Sequence, residues 1–182
     1  MKEISLPSHI FMQWTTATPV TVDVATRHAA EARRNANTVI SASLFVEREI
    51  EALISNYLFP GEIASEQKTF ATAHILGSDA LSFAAKRRVV LALARQKGWL
   101  AGKDAESFEK LLIKIGSLRN ALTHGNVIER DQTTILSYFE SKPREEELTD
   151  LFWDAVVATF TDAITRIEQL KAAAKLSTPS AA

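Results

Sequence analysis

Apolar residues recur every three or four positions along several stretches of the chain, and this spacing predicts amphipathic helices. The predicted long helices cover approximately residues 23–57, 82–97, 104–124 and 145–175. Ser82 is the expected cap of the second helix, and Gly98 and Gly125 are expected to end the second and third. A shorter helix over residues 66–75, closed by Gly77, is also expected.

The pattern changes to a strand-like one between the last two long helices. Residues 127–130 and 133–139 are rich in β-formers and flank Asp131-Gln132, which predicts a short β-hairpin. Four or five amphipathic helices with short connections pack most simply as a bundle. We therefore predict an all-α fold, a four- to five-helix bundle with a small β-hairpin inserted before the last helix.

Length and composition favour one globular domain without covalent staples. The 182 residues suggest an irregular arm over 1–19, a helical bundle over 20–176 and a flexible tail over 177–182. The absence of cysteine excludes thiolate catalysis, cysteine-based zinc sites and disulfides. No apolar run approaches the ~20 residues that span a bilayer, and residues 1–4 lack the features of a signal peptide. We expect a cytoplasmic protein with no membrane partner.

Charge is unevenly distributed although the net charge is only −1. Residues 61–126 carry ten Lys/Arg against six Asp/Glu, whereas residues 127–182 carry six against ten. Lys86, Arg87, Arg88 and Lys114 lie in the basic third and are candidate RNA-binding residues. The alternative, which the sequence favours, is that they form a solvated helix face.

The most concentrated chemical signal is Arg119-Asn120-Ala121-Leu122-Thr123-His124, at the end of a predicted helix. Glycine-rich phosphate loops, metal-protease patterns and nucleophile elbows are missing from the sequence, so we expect no cofactor and no metal. Asn120 and His124 are four residues apart and share a helix face, whereas Arg119 lies about 140° round the axis from His124. Histidine for proton transfer and arginine for phosphorane charge suffice for metal-free RNA cleavage. Each of these residues can equally act as a structural helix cap.

The segment Leu118 to Gly125 resembles the Arg-x4-6-His motif of the HEPN superfamily, in which the residue after the arginine is commonly Asn, Asp or His. The stretch from Phe45 to Phe59 resembles the early helix of uncharacterised HEPN-like and mannitol-repressor-like proteins, and with the 86–98 helix the likeness covers most of residues 25–175. Many members of that superfamily are metal-independent endoribonucleases, often toxins or defence effectors. They act as dimers whose two motifs meet in an RNA-binding cleft.

The resemblance implies that Arg119 and His124 are catalytic and that Asn120 supports them. It also implies RNA as substrate, a homodimer, and an antitoxin or other partner protein. Other members have lost activity and serve as binding or regulatory modules. The alternative function is therefore a non-catalytic interaction module or transcriptional co-regulator of the mannitol-repressor-like type.

Overall fold

The fold is known from a computed structural model, which describes residues 3–4, 24–60, 65–78, 81–130 and 133–176. Within these ranges the chain forms five α-helices, one π-helical turn and a small antiparallel sheet. The helices are α1 (Val24–Leu58), α2 (Ser65–Ala71), α3 (Phe83–Gln96), α4 (Gly102–His124) and α5 (Asp150–Leu176), and the π-helical turn, Thr72–Leu76, follows α2. The strands are β1 (Asn126–Arg130), β2 (Thr133–Glu140) and β3 (Lys142–Glu147).

The helix boundaries agree closely with the predicted ones for α1, α3 and α4. Ser82 caps α3, since its Oγ accepts the Ala85 N–H at 3.3 Å. Gly98 follows α3 with a φ of +68°, a conformation that glycine adopts without the steric penalty of a β-carbon. The mostly helical fold class is therefore confirmed.

The predicted hairpin is part of a larger element, and the predicted start of the last helix is wrong. Residues 142–147 form β3, which pairs antiparallel with β2 in a sheet of order β1-β2-β3. The acidic run Glu145-Glu146-Glu147 therefore lies in an edge strand and not in the first turn of a helix. The last helix begins at Asp150, where Thr149 accepts the Phe152 N–H at 3.2 Å.

The chain divides into two compact units. Unit 1 comprises Met1–Ser43 and Ser117–Thr161, and unit 2 comprises Leu44–Gly116 and Asp162–Ala182. Helices α1, α4 and α5 each contribute residues to both units. In unit 1, Trp153 and Phe160 are completely buried together with Leu136 of the sheet. In unit 2, Phe108, Leu112 and Ile115 of α4 form part of a helical core.

Most of the predicted arm and all of the predicted tail lie outside the described residues. Glu3 and Ile4 are the described part of the arm. Ile4 is buried in unit 1, and its N–H donates to Oδ1 of the buried Asn35 at 3.2 Å. No helix among the described residues combines the length and apolarity that a membrane crossing requires.

Candidate functional site

The segment Arg119–His124 forms the last two turns of α4, in unit 1. The helix reaches this point because Leu118, Ala121 and Leu122 are buried and continue its apolar stripe. It ends at His124, where the Gly125 N–H donates to the Ala121 carbonyl at 2.8 Å. His124 is therefore the last residue of the helix, next to the negative end of its dipole.

Gly125 fixes how the chain leaves this helix. A β-carbon at this position would lie 2.3 Å from the Ala121 carbonyl oxygen, 2.9 Å from Leu136 Cδ1 and 3.0 Å from the Ser137 carbonyl oxygen. These distances leave no room for a side chain, and two of the three obstructing atoms belong to the backbone. The close approach lets β1 begin at Asn126, opposite Ser137 of β2.

The three predicted catalytic residues differ in exposure. Arg119 is half-buried, whereas the side chains of Asn120 and His124 are exposed. Because α4 is helical throughout, Asn120 and His124 are separated by about 40° round its axis and Arg119 and His124 by about 140°. In the described part of the chain, the side chains of Asn120 and His124 form no hydrogen bond with each other. The geometry places Asn120 and His124 on one face and gives Arg119 a different direction.

Polar contacts tie the second strand to the same end of α4. Ser117 Oγ donates to Glu140 Oε1 at 2.9 Å, and Glu140 also pairs with Arg144 at 3.1 Å. On the same face of the sheet, the Tyr138 hydroxyl donates to Glu146 at 2.8 Å. Burial and this hydrogen bond to a carboxylate raise the pKa of Tyr138 to about 12. The polar contact from the sheet to this end of α4 is therefore made by a carboxylate, that of Glu140.

The predicted RNA-binding residues belong to unit 2, and one of them is buried. Lys86 is 3% exposed, and its ammonium group donates to Glu47 at 2.5 Å and to Glu51 at 2.7 Å. Burial disfavours the charged ammonium, but the two carboxylates outweigh it and raise the pKa of Lys86. Lys86 is thus a charged residue inside the helical core, and the prediction that it lies on a solvated helix face is wrong.

The other members of the predicted basic group remain accessible in part. Arg88 and Lys114 are exposed, and Arg87 is half-buried. The charges of the two units differ in sign. Unit 1, which holds Arg119 and His124, carries eight Lys/Arg against eleven Asp/Glu, a net −3, and unit 2 carries thirteen against eleven, a net +2. The candidate catalytic residues therefore lie in the acidic unit.

The cluster of Lys86, Glu47 and Glu51 was not predicted as a unit. The sequence shows that Glu47 and Glu51 are four residues apart and share one face of α1, but it does not show which cation pairs with them. A signal was nevertheless present. Lys86 lies four residues before Val90 and seven before Leu93, on the same stripe as these buried residues.

Comparisons with known proteins give no assignment: no protein-family model, curated protein or solved structure matches the chain. Among the described residues, no group of three or more histidine and acidic side chains is arranged to hold a metal ion.

Proposed function

We propose that the chain is a metal-independent endoribonuclease of the HEPN type that acts as a homodimer, with a role as a toxin or defence effector. The observation that carries the proposal is the exposed imidazole of His124 at the end of α4, one turn beyond Asn120 and five residues beyond Arg119. The described residues offer the imidazole of His124 no hydrogen-bond or ion-pair partner, so its ring nitrogens are accessible to a substrate.

In the proposed reaction the 2′-oxygen of one nucleotide bonds to the adjacent phosphorus while the bond to the next 5′-oxygen breaks. The products are a 2′,3′-cyclic phosphate and a 5′-hydroxyl. The 2′-hydroxyl loses its proton and the leaving 5′-oxygen gains one; His124 carries out one of these two transfers and solvent water the other. Arg119 offsets the charge that develops on the phosphorane oxygens, and its planar, permanently charged group suits this role. Asn120 orients the imidazole or the substrate.

A homodimer would bring an arginine and a histidine together although they point apart on a single helix. Arg119 and His124 of one chain are about 140° apart round the α4 axis, so a second copy of the motif would supply the group that faces away in the first. The most exposed large apolar side chains of the described residues, Leu151 at 81% and Phe139 at 75%, both belong to unit 1. These two side chains are therefore our candidates for an apolar contact with a second copy of the chain.

The test is RNA cleavage in EDTA, with a pool of single-stranded and structured RNA. We expect the wild type to cut and to leave cyclic phosphate ends. Arg119→Ala and His124→Ala are each expected to lower the rate by about 10²–10⁴-fold with unchanged helicity by circular dichroism. The matched control is His74→Ala, since His74 is also an exposed histidine but lies in unit 2. If the wild type does not cut, or if both motif variants cut as fast as the wild type, Arg119 and His124 lose their catalytic assignment.

The dimer is tested separately by light scattering on the eluting protein. Phe139→Ser combined with Leu151→Ser is expected to shift the protein towards the monomer. Phe70→Ser is the matched control, because Phe70 is 61% exposed but belongs to unit 2. Equal masses for the wild type and the double variant would argue that these side chains form no part of the interface.

The second candidate function is a non-catalytic interaction module, and the charge of unit 1 favours it. Neutralisation of phosphates drives most of the affinity of a protein for RNA, whereas the unit that holds the motif has a net charge of −3. On this alternative the wild type neither cuts nor binds the RNA pool at physiological salt, and Arg119→Ala leaves its partner binding unchanged. The same variants therefore separate the two functions.

A further inference from the structure

Unit 2 contains a cavity of about 520 Å³ that is separate from Arg119 and His124. It lies between the carboxyl end of α1, the turn after α3 and the carboxyl end of α5. Cavities that hold small organic ligands are typically about 300–1,000 Å³. Its size therefore suits a small molecule of one or two rings.

Two aromatic side chains form one wall of this cavity. Tyr57 and Trp99 meet edge to face, with ring centroids 6.0 Å apart and an interplanar angle of 86°. Trp99 is held in place by its backbone, since its N–H donates to the Ala94 carbonyl at 2.9 Å. The turn before it depends on Gly98, whose φ is +68°. The aromatic wall is thus anchored to the end of α3.

The remaining apolar lining comes from α1, from Pro60 just after it and from α5. Ala52 and Leu53 lie on α1, and Ala174 lies on α5. Small and aliphatic side chains beside an aromatic wall leave space for a flat ring, which can stack or pack edge to face against Tyr57 and Trp99.

The charged side chains of the cavity are mainly lysines. Lys97, Lys171 and Lys175 line it together with a single carboxylate, that of Glu49, so the lining carries a net charge of +2. Glu49 pairs with Lys171, which also contacts Glu168 at 2.9 Å. Lys171 is therefore neutralised by its neighbours.

Lys97 and Lys175 supply the positive charge that Glu49 does not neutralise. The Lys97 ammonium group lies 5.0 Å from the centroid of the Tyr57 ring, which holds its charge beside the aromatic wall. Neither lysine forms an ion pair with a carboxylate of the described residues. An anionic group on a ligand would meet these two ammonium groups.

We propose that this cavity binds a small aromatic anion, with its ring against Tyr57 and Trp99 and its carboxylate or phosphate at Lys97 and Lys175. The apolar lining would accommodate the uncharged ring of the ligand, and the two lysines without a carboxylate partner would contact its anionic group. This binding is independent of RNA cleavage, because none of its residues is Arg119, Asn120 or His124.

The test is isothermal titration calorimetry of the full chain with 2-naphthoate. Ligands of this size bind with a dissociation constant on the order of 1 mM or below when both ring and charge are accommodated. We expect 2-naphthamide, which keeps the rings and lacks the charge, to bind about fivefold more weakly or worse. Cyclohexanecarboxylate, which keeps the charge and lacks the aromatic ring, is expected to lose a similar factor. Equal binding of 2-naphthamide and 2-naphthoate would overturn the proposal.

Variants locate the binding site. Lys97→Gln with Lys175→Gln is expected to weaken 2-naphthoate about tenfold, and Trp99→Leu at least fivefold. Lys110→Gln is the matched control, because Lys110 is exposed in unit 2 and does not line the cavity. Lys97 and Lys175 are both exposed, so the double lysine variant stays informative if Trp99→Leu fails to fold. If 2-naphthoate binds the lysine variant and the wild type equally well, the cavity is not the site.

A further titration distinguishes a carboxylate from a phosphate as the anionic group. Phenyl phosphate is titrated beside benzoate, since both carry one ring and differ in the anionic group. Saturable binding of either one that is lost in Lys97→Gln with Lys175→Gln supports the proposal and identifies the anion. No binding of any of the aromatic anions up to about 10 mM would contradict it.

Discussion

Unit 2 and unit 1 each hold a group of polar residues on an amphipathic helix, but only the first group is fixed by packing. In unit 2, Lys86 is buried between two carboxylates at 2.5 and 2.7 Å. In unit 1, Asn120 and His124 are exposed at the end of α4, and the described residues offer His124 no partner. Both groups consist of polar side chains, but Lys86 lies on the buried apolar stripe of its helix, whereas Asn120 and His124 lie outside the buried stripe of α4.

This difference distinguishes polar groups that stabilise the fold from polar groups that can still contact a ligand. A buried charge that is fully paired stabilises one arrangement of its neighbours and has no capacity left for a ligand. An exposed imidazole without a partner contributes little to folding and remains accessible to a ligand. Position on the stripe therefore discriminates better between the two roles than residue type.

The largest effect is expected from a substitution that disrupts the buried cluster of Lys86, Glu47 and Glu51. Lys86→Met keeps most of the side-chain volume but leaves Glu47 and Glu51 close together, largely buried and without their cation. We expect the free energy of unfolding to fall by about 3 kcal/mol, as for other buried pairs that lose one partner. Urea unfolding monitored by circular dichroism measures the change.

Two further variants make this test specific. Lys114→Met removes an exposed lysine of unit 2 and is expected to change the free energy of unfolding by less than about 0.5 kcal/mol. Adding Glu47→Gln and Glu51→Gln to Lys86→Met should restore part of the lost stability, because the uncompensated charges are gone. A loss below about 1 kcal/mol in Lys86→Met would show that the cluster is not a packed ion triad.

The next effect concerns the turn that places His124. Gly125→Ala puts a methyl group 2.3 Å from the Ala121 carbonyl oxygen. Since that atom is backbone, the helix end or the start of β1 must move, and we expect a loss of about 2 kcal/mol. Urea unfolding measures the stability, and the chemical shifts of His124 report the displacement.

Gly116→Ala is the control for that substitution. Its β-carbon would meet only the Phe83 ring, at the ordinary contact distances of 3.4 and 3.5 Å. Because Gly116 is inside α4, alanine is expected to be neutral or stabilising by up to about 1 kcal/mol. If Gly125→Ala behaved like Gly116→Ala, the close approach at the end of α4 would not fix the position of His124.

The helices were predictable because their apolar stripes are long. Val39, Ala42, Val46, Ile50 and Leu53 of α1 are all buried, at the spacings of three and four that the sequence displays. On α3 residue type alone is a poorer guide to burial. The apolar Val89 is 42% exposed, whereas the charged Lys86 is buried. A charged residue reaches the core only with its partners, and these lie 35 and 39 residues away in the sequence.

The third strand was not predictable from its own residues. The sequence Lys-Pro-Arg-Glu-Glu-Glu over 142–147 has low strand propensity, and a glutamate run after proline favours a helix start. It forms a strand because its backbone pairs with β2, with Tyr138 opposite Arg144 and Leu136 opposite Glu146. Such pairing depends on tertiary context, as does the membership of the Arg119–His124 segment and of the basic residues 86–88 in different units.

The smallest expected effect concerns Tyr138, on the sheet that contacts the end of α4. Its hydroxyl donates one hydrogen bond to Glu146 at 2.8 Å. Tyr138→Phe removes it, and we expect the free energy of unfolding at neutral pH to fall by about 1 kcal/mol, less than for Lys86→Met. Urea unfolding of the two variants at the same pH makes the comparison.

The hydrogen bond between Tyr138 and Glu146 is also expected to depend on pH. Burial and the carboxylate of Glu146 raise the pKa of Tyr138 to about 12 from its ordinary value of 10.0. A phenol with a raised pKa stabilises the fold below pH ~10, and this contribution is lost as the pH rises from ~10 towards ~12. The chain has two tyrosines, so in Tyr57→Phe the ultraviolet absorbance of tyrosinate reports Tyr138 alone. Glu146→Gln in that background should lower the midpoint towards ~10, and an unchanged midpoint would mean that Glu146 does not control the phenol.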